Sequence, residues 1–399
     1  MANSAALLRI RIPLLLLAFG VLVSHAAYYY PFLADDALIS LRYAERLIAD
    51  KGLTWNDGEF VEGYTNLLWV LATALLGLLG IDLILAARLL GLVSALAILF
   101  ALHHFSVGYR TEAFLLPALA LGLIAPTAVW MIGGLETLML CAFVALAAAS
   151  LARAVAQSEP GRLPTGLLFP AGMLSLAVLT RADAPVLVAG FAAGTMLAAR
   201  GDFLDRLKAL VLVSGVPFAA FLAQLVFRLI YYDSLLPNTF YAKFALTDHR
   251  LQEGLNYLAK FAWTVLPFLA ALGFILLLAL LRPGHDREHP RSGHDDLLRR
   301  LALLLPVAAA WTTYIAVVGG DIFPAYRQAL PVLVVLAFAF SAALANVSWG
   351  SWRIAAVALG IIGLAGSFLL SHRDAENHRG KTERWEWACK EIAEQVALR

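Results

Sequence analysis

Two adjacent carboxylates, Asp35 and Asp36, open the run ADDALISLRYAERLIADKG. A carboxylate at the mouth of a site can take the proton of an incoming hydroxyl as a general base. Helix capping, a role Asp fills well, would use only one of the pair, and Asp35 is the first choice for the base. Arg42 and Tyr43 follow on the same segment. The stretch WNDGEFVEGYTNLLW, residues 55–69, then makes a turn and sets out Glu62, Tyr64 and Asn66 as a polar lip suited to sugar hydroxyls. Its aromatics also fit the preference of Trp and Tyr for the membrane interface, an account that leaves Glu62 over. Glu136 comes after two glycines. In LTRAD, Arg181 and Asp183 either pair locally or leave the guanidinium for a phosphate, which its fork matches. Residues 228–243, RLIYYDSLLPNTFYAK, gather Asn238, Tyr241 and Lys243 around Pro237, an amide, ring and cation set that suits a sugar phosphate. In GGDIFPAYRQ, Asp321 and Arg327 stand at the entrance of an apolar run, where snorkelling is the alternative reading of Arg327.

The elements that position these residues are membrane helices. Hydrophobic residues make up 61% of the 399 and charged residues 15%, against about 25% charged in soluble domains. Such a chain faces lipid with helices that satisfy their own backbone hydrogen bonds. A net charge of +2 without a continuous basic stripe excludes nucleic acid as a partner. Two cysteines, Cys141 and Cys389, define neither a disulfide framework nor a metal site. The N-terminus resembles a signal peptide but reads as an uncleaved first span.

Apolar runs lie near 8–28, 83–105, 113–131, 137–156, 164–180, 184–199, 209–229, 258–281, 301–318, 328–346 and 352–370. They predict an all-α polytopic bundle of about eleven spans. The run 67–79 would reach only about 20 Å and is assigned as interfacial or re-entrant. With that assignment Arg9, Arg11, Arg110, Arg153, Arg162, Arg200, Arg206, Lys208, the arginines of 282–300 and Arg353 all fall in cytoplasmic connections, as the positive-inside rule requires. The N-terminus is then inside, and every polar cluster described above lies on the extracytoplasmic side. Ala37, Leu41, Ala44 and Ile48 share one face of a short amphipathic helix lying at the interface. The spans carry almost no central charge, with Arg88 near the outer end of its helix, which disfavours a transporter or flippase of a lipid-linked sugar.

The segments ADDALISLRYA, VEGYTNLLW, GGLET, LTRAD, LPNTFYAK and GGDIFPAYR, in that order from 34 to 327, resemble membrane glycosyltransferases of the GT-C superfamily. They are most like the mycobacterial terminal arabinofuranosyltransferase family and its bacterial relatives. The resemblance implies a GT-C-like transmembrane domain over 1–370, with two juxtamembrane helices in the first extracytoplasmic loop, 28–82. It further implies an inverting transfer outside the plasma (inner) membrane. The donor would be a polyprenyl-phosphate sugar, arabinofuranose first, and the acceptor a glycan, lipid-linked or secreted-protein partner. Asp35 would be the base, Asp36 would orient the helix or acceptor, and Arg181, Lys243 and Arg327 would meet the departing phosphate. Glu62, Glu136 and the remaining polar residues above would line the substrate site. No cofactor is called for by spacing, and a divalent cation beside the carboxylates is left open. The mycobacterial relatives continue into a large external domain, whereas 371–399 here are expected to form only a short extracytoplasmic tail.

Overall fold

A computed structural model of the chain describes residues 2–157, 166–238, 248–281, 293–348 and 350–387. Among them every named element is a helix, and the one β feature is an isolated parallel bridge between Leu33 and Arg384. The apolar runs form helices because hydrocarbon offers their backbone no other hydrogen-bond partner. In order these are α1 (Ala2–Tyr29), α2 (Asp35–Ile48), α3 (Leu67–Leu78), α4 (Leu83–Phe105), α5 (Glu112–Leu123) and α6 (Ala125–Ile132). Then come α7 (Thr137–Ala156), α8 (Leu168–Thr180), α9 (Pro185–Ala198) and α10 (Phe203–Tyr232). The remainder are α11 (Asp248–Thr264), α12 (Leu266–Leu281), α13 (His294–Val318), α14 (Leu330–Asn346), α15 (Ser351–Arg373) and α16 (Ala375–Thr382).

Among the described residues seven helices are long and apolar enough to cross a membrane, or up to nine if each of two bent pairs counts as one span, against the eleven or so expected. The apolar helices α8 and α9, of 13 and 14 residues, lie within the expected spans 164–180 and 184–199 but are shorter than a crossing helix needs. Alanine-rich α7 and α14 are the most buried of the long helices. Around them α4 packs on α7, α13 on α9, α10 on α8 and α9, and α12 on α15.

Three elements differ from or refine the sequence reading. The expected span 113–131 is broken into α5 and α6, which meet at 64°. The expected span 258–281 is broken: α11 and α12 meet at 76°. Residues 258–264 therefore belong to a polar-faced helix, and the apolar 16 residues of α12 continue alone. Helix α3, with 12 residues, has both ends at one end of the bundle. Its N-cap Asn66 bonds Glu136, its Gly77 lies against Ile48 and Leu83, and Arg88, soon after, bonds the Pro31 carbonyl. At 12 residues α3 is among the shorter apolar helices.

Candidate functional site

Helix α2 carries the acidic pair at its N-terminus, where the exposed N–H groups favour negative charge by about 0.3–1 kcal/mol. The N-cap is Ala34, not either aspartate, and no side chain caps it. Asp35 is exposed, and its Oδ1 accepts the Asp36 N–H at 2.9 Å. Helix α2 buries Ala37, Leu41 and Ala44, so its amphipathic face holds Asp35 at the surface. The preceding backbone is fixed by a hydrogen bond from Ala34 N to Gly133 O, 3.0 Å. Here the two glycines before Leu135 find their reason. Gly134 has φ +80°, and a Cβ on it would stand 2.5 Å from Leu33 Cδ1 and 2.9 Å from the Ala37 Cβ. The GGLE turn must be bare for the Asp35 loop to lie against it.

From Glu136 a chain of charged and polar groups runs across four segments. Glu136 Oε2 accepts from Asn66 Nδ2 at 2.7 Å, and Asn66 also exchanges bonds with Ser40 of α2. Glu136 Oε1 accepts from Arg181 at 2.8 Å, and Arg181 in turn donates to both oxygens of Asp183, at 2.8 and 2.6 Å. Tyr314 of α13 closes the run on Asp183 at 3.0 Å. Burial pushes the Asp183 carboxyl up, but the Arg181 guanidinium and the Tyr314 hydroxyl outweigh it and hold the group below its ordinary value. Arg181 thus pairs locally, as one of the two readings had it, and also with Glu136: two carboxylates share one guanidinium. This leaves little positive charge there for a phosphate.

A second buried centre joins the first loop to α10. Arg228 Nε donates to both oxygens of Glu62, at 3.0 and 2.8 Å, with each side chain only 4% exposed. Burial pushes the Glu62 carboxyl up, and Arg228 opposes that shift. Glu62 is therefore inside the lip rather than on it. Tyr64 is buried too, its hydroxyl 3.0 Å from that of Tyr232. Tyr43 braces the same loop, donating to Val61 O and accepting from Gly63 N, and Arg42 pairs with Glu45 near the surface. Asn238 N donates to Glu62 O at 3.1 Å while its side chain is exposed. Tyr241 and Lys243 lie outside the described residues.

On the far side of the cluster Arg327 donates to Asp321 at 2.8 Å rather than snorkelling, with its guanidinium 4.2 Å from the Phe323 ring centre and 5.5 Å from that of Trp130. Two buried indoles hold this loop: Trp130 donates to Pro324 O and Trp311 to Gln328 O. Among the described residues no three metal-ligating side chains come together. Sequence reasoning missed Arg228, Ser40 and Tyr314. An arginine in the apolar run before Tyr231 was a visible signal, since a charge in a span needs a partner. Ser40 and Tyr314 gave none.

The bundle defines the class: an all-α, multi-pass membrane fold. The crystal structure of ArnT from Cupriavidus metallidurans bound to undecaprenyl phosphate matches 97% of this chain and 80% of its own with a TM-score of 0.64, at 13% identity. No family model matches the chain. The resemblance to terminal arabinofuranosyltransferases is borne out by curated relatives. The terminal β-(1→2)-arabinofuranosyltransferase of Mycobacterium tuberculosis is 30% identical over 303 residues, 70% of this chain and 46% of the relative. Its counterpart in Corynebacterium glutamicum is 28% identical over 354 residues, 80% of this chain and 49% of the relative. The chain spans about half the length of these curated relatives.

Proposed function

We propose that this protein is an inverting glycosyltransferase that moves a sugar, arabinofuranose first, from a polyprenyl-phosphate donor to a glycan, lipid-linked or secreted-protein acceptor. The reading places the active site on the extracytoplasmic face of the plasma (inner) membrane, with residues 1–370 as the working transmembrane domain. The observation that carries it is Asp35, exposed at the start of a helix whose Ser40 bonds Asn66 of the Glu136–Arg181–Asp183 chain. The similarity to arabinofuranosyltransferases supports the sugar, and the fold shared with ArnT, solved with undecaprenyl phosphate, supports the lipid.

In this reading Asp35 takes the acceptor hydroxyl proton as that oxygen bonds the anomeric carbon. The bond from the carbon to the phosphate oxygen breaks, and the polyprenyl phosphate leaves with the electron pair. Such general-base assistance is worth roughly 10²–10⁴-fold. Asp36 steadies the helix start or the acceptor. Glu136 and Asp183, which outnumber their guanidinium, are suited to sugar hydroxyls, with Asn66 beside them. The growing phosphate charge falls to Arg327 and, from the sequence, to Lys243, because preorganised cations stabilise it in a dry site.

Purified protein incubated with a panel of polyprenyl-phosphate sugars and envelope acceptors is expected to form a new glycosidic bond with a pentofuranosyl donor. Movement of intact lipid-linked sugar across a vesicle membrane without bond formation would instead identify a flippase. The side is tested by labelling Asn56→Cys and His294→Cys in intact cells. The first is expected to react and the second only after permeabilisation; equal reactivity would overturn the orientation.

A further inference from the structure

The segment after α15 folds back over the end of the bundle that carries Asp35. Asp374 Oδ1 caps α16 through the N–H groups of Glu376 and Asn377, at 2.8 and 3.2 Å. Its other oxygen accepts from Tyr326 at 2.8 Å and Thr264 at 2.5 Å. Glu376 O accepts the Ala325 N–H at 3.1 Å. These contacts hold the loop immediately before Arg327. At the other end of the segment, Arg384 bridges Leu33, two residues before Asp35. Glu386 Oε2 accepts from Arg88 Nη2 at 2.8 Å, and the same nitrogen donates to Pro31 O at 3.2 Å. The Arg88 guanidinium also lies 4.9 Å from the Tyr30 ring centre. Both partners are largely sheltered, 14% and 27% exposed, so water competes weakly for the pair.

One short segment therefore grips both the loop that presents Asp35 and the loop that presents Arg327, while contributing no group to the proposed chemistry. We propose that residues 374–387 are a positioning strap, with Arg88 and Glu386 as positioning residues that fix the Pro31–Leu33 approach to Asp35. The inference rests on the reading of Asp35 as the base, and its physical content is simple. A base and a leaving-group cation on separate loops act together only if their separation is held, and a misplacement of about 1 Å can cost about 10²-fold in rate.

The test compares Glu386→Ala with Glu386→Gln in the full chain, reading hydrogen exchange of peptides covering 30–40 beside steady-state transfer. Removing the acceptor in Glu386→Ala is expected to speed exchange across 30–36 and lower kcat by about tenfold with the donor KM unchanged, because the reacting groups are displaced but the binding groups are not. Glu386→Gln keeps an oxygen for Arg88 and is expected to restore most of both readouts. Unchanged exchange in Glu386→Ala, or faster exchange with unchanged kcat, would overturn the strap. A wild type that transfers from no donor in the panel would overturn the functional reading instead, with exchange still deciding whether the segment holds the loop.

Discussion

The two ends of the bundle use the same residue types differently. At the end away from Asp35, arginines finish helices. Arg300 donates to Phe105 O, the last residue of α4, Arg299 to Ala198 O, the last of α9, and Arg200 to Ala156 O, the last of α7. Arg11 reaches Ser106 O and Tyr109 O just past α4. The last carbonyls of a helix have no partner of their own, and basic side chains fill that need. That end also holds ion pairs, Arg353 with Glu112 and Arg300 with Asp296, but at the Asp35 end the cations meet carboxylates in a group of three long-range pairs: Arg181 with Glu136, Arg228 with Glu62, Arg88 with Glu386. The first arrangement terminates helices, and the second orders loops around an exposed carboxylate. Charge count alone does not mark a site; several long-range ion pairs gathered around an exposed carboxylate do.

The contrast can be broken or sharpened in graded steps. Arg228→Ala leaves the buried Glu62 carboxylate alone, and losing one partner of a buried pair costs about 3–5 kcal/mol. Thermal unfolding in detergent is expected to show that loss together with lost transfer, and a wild-type melting temperature would remove the pair from the account. Arg11→Met removes charge-assisted bonds to backbone at the opposite end, worth about 1.5–3 kcal/mol. Its melting temperature should fall while kcat of the folded fraction stays at wild type; a fall in kcat would erase the distinction between the ends. A smaller effect belongs to Asp183, whose carboxyl the Arg181 guanidinium and the Tyr314 hydroxyl hold below its ordinary value despite burial. Its stabilisation is complete above that ordinary value and disappears as pH falls through the lower folded one. The melting temperature of wild type should therefore drop below about pH 4 more than that of Asp183→Asn, and parallel acid profiles would contradict the Arg181 contact.

Much of this arrangement was legible from charge and hydropathy. The parity of arginines grouped Asp35, Glu62, Glu136, Arg181 and Asp321, and the short run 67–79 is the short apolar helix α3. Their partners were not legible. Glu62 and Arg228 are 166 residues apart, and no periodicity records a contact of that range. Thus Glu62 read as part of a polar lip when Arg228 engages it in the interior, and of the two readings of Arg181 the sequence could not name Glu136 as its second partner. The break between α11 and α12 did leave a trace: Leu251, Leu255 and Leu258 recur at helical spacing among polar residues, a pattern that the single span 258–281 overlooked. Residues 374–387 read as a tail because hydropathy ends with α15, although hydrogen bonds, not apolar burial, dock them.

The central claim is that the exposed Asp35, and not the buried carboxylates around it, removes the acceptor proton. Its most direct test is single-turnover transfer from a polyprenyl-phosphate pentose by Asp35→Asn beside wild type, with Asp36→Asn as the neighbouring control. The account predicts that Asp35→Asn remains folded and inserted with transfer reduced at least about 10²-fold, while Asp36→Asn is milder. Wild-type turnover by Asp35→Asn would contradict it.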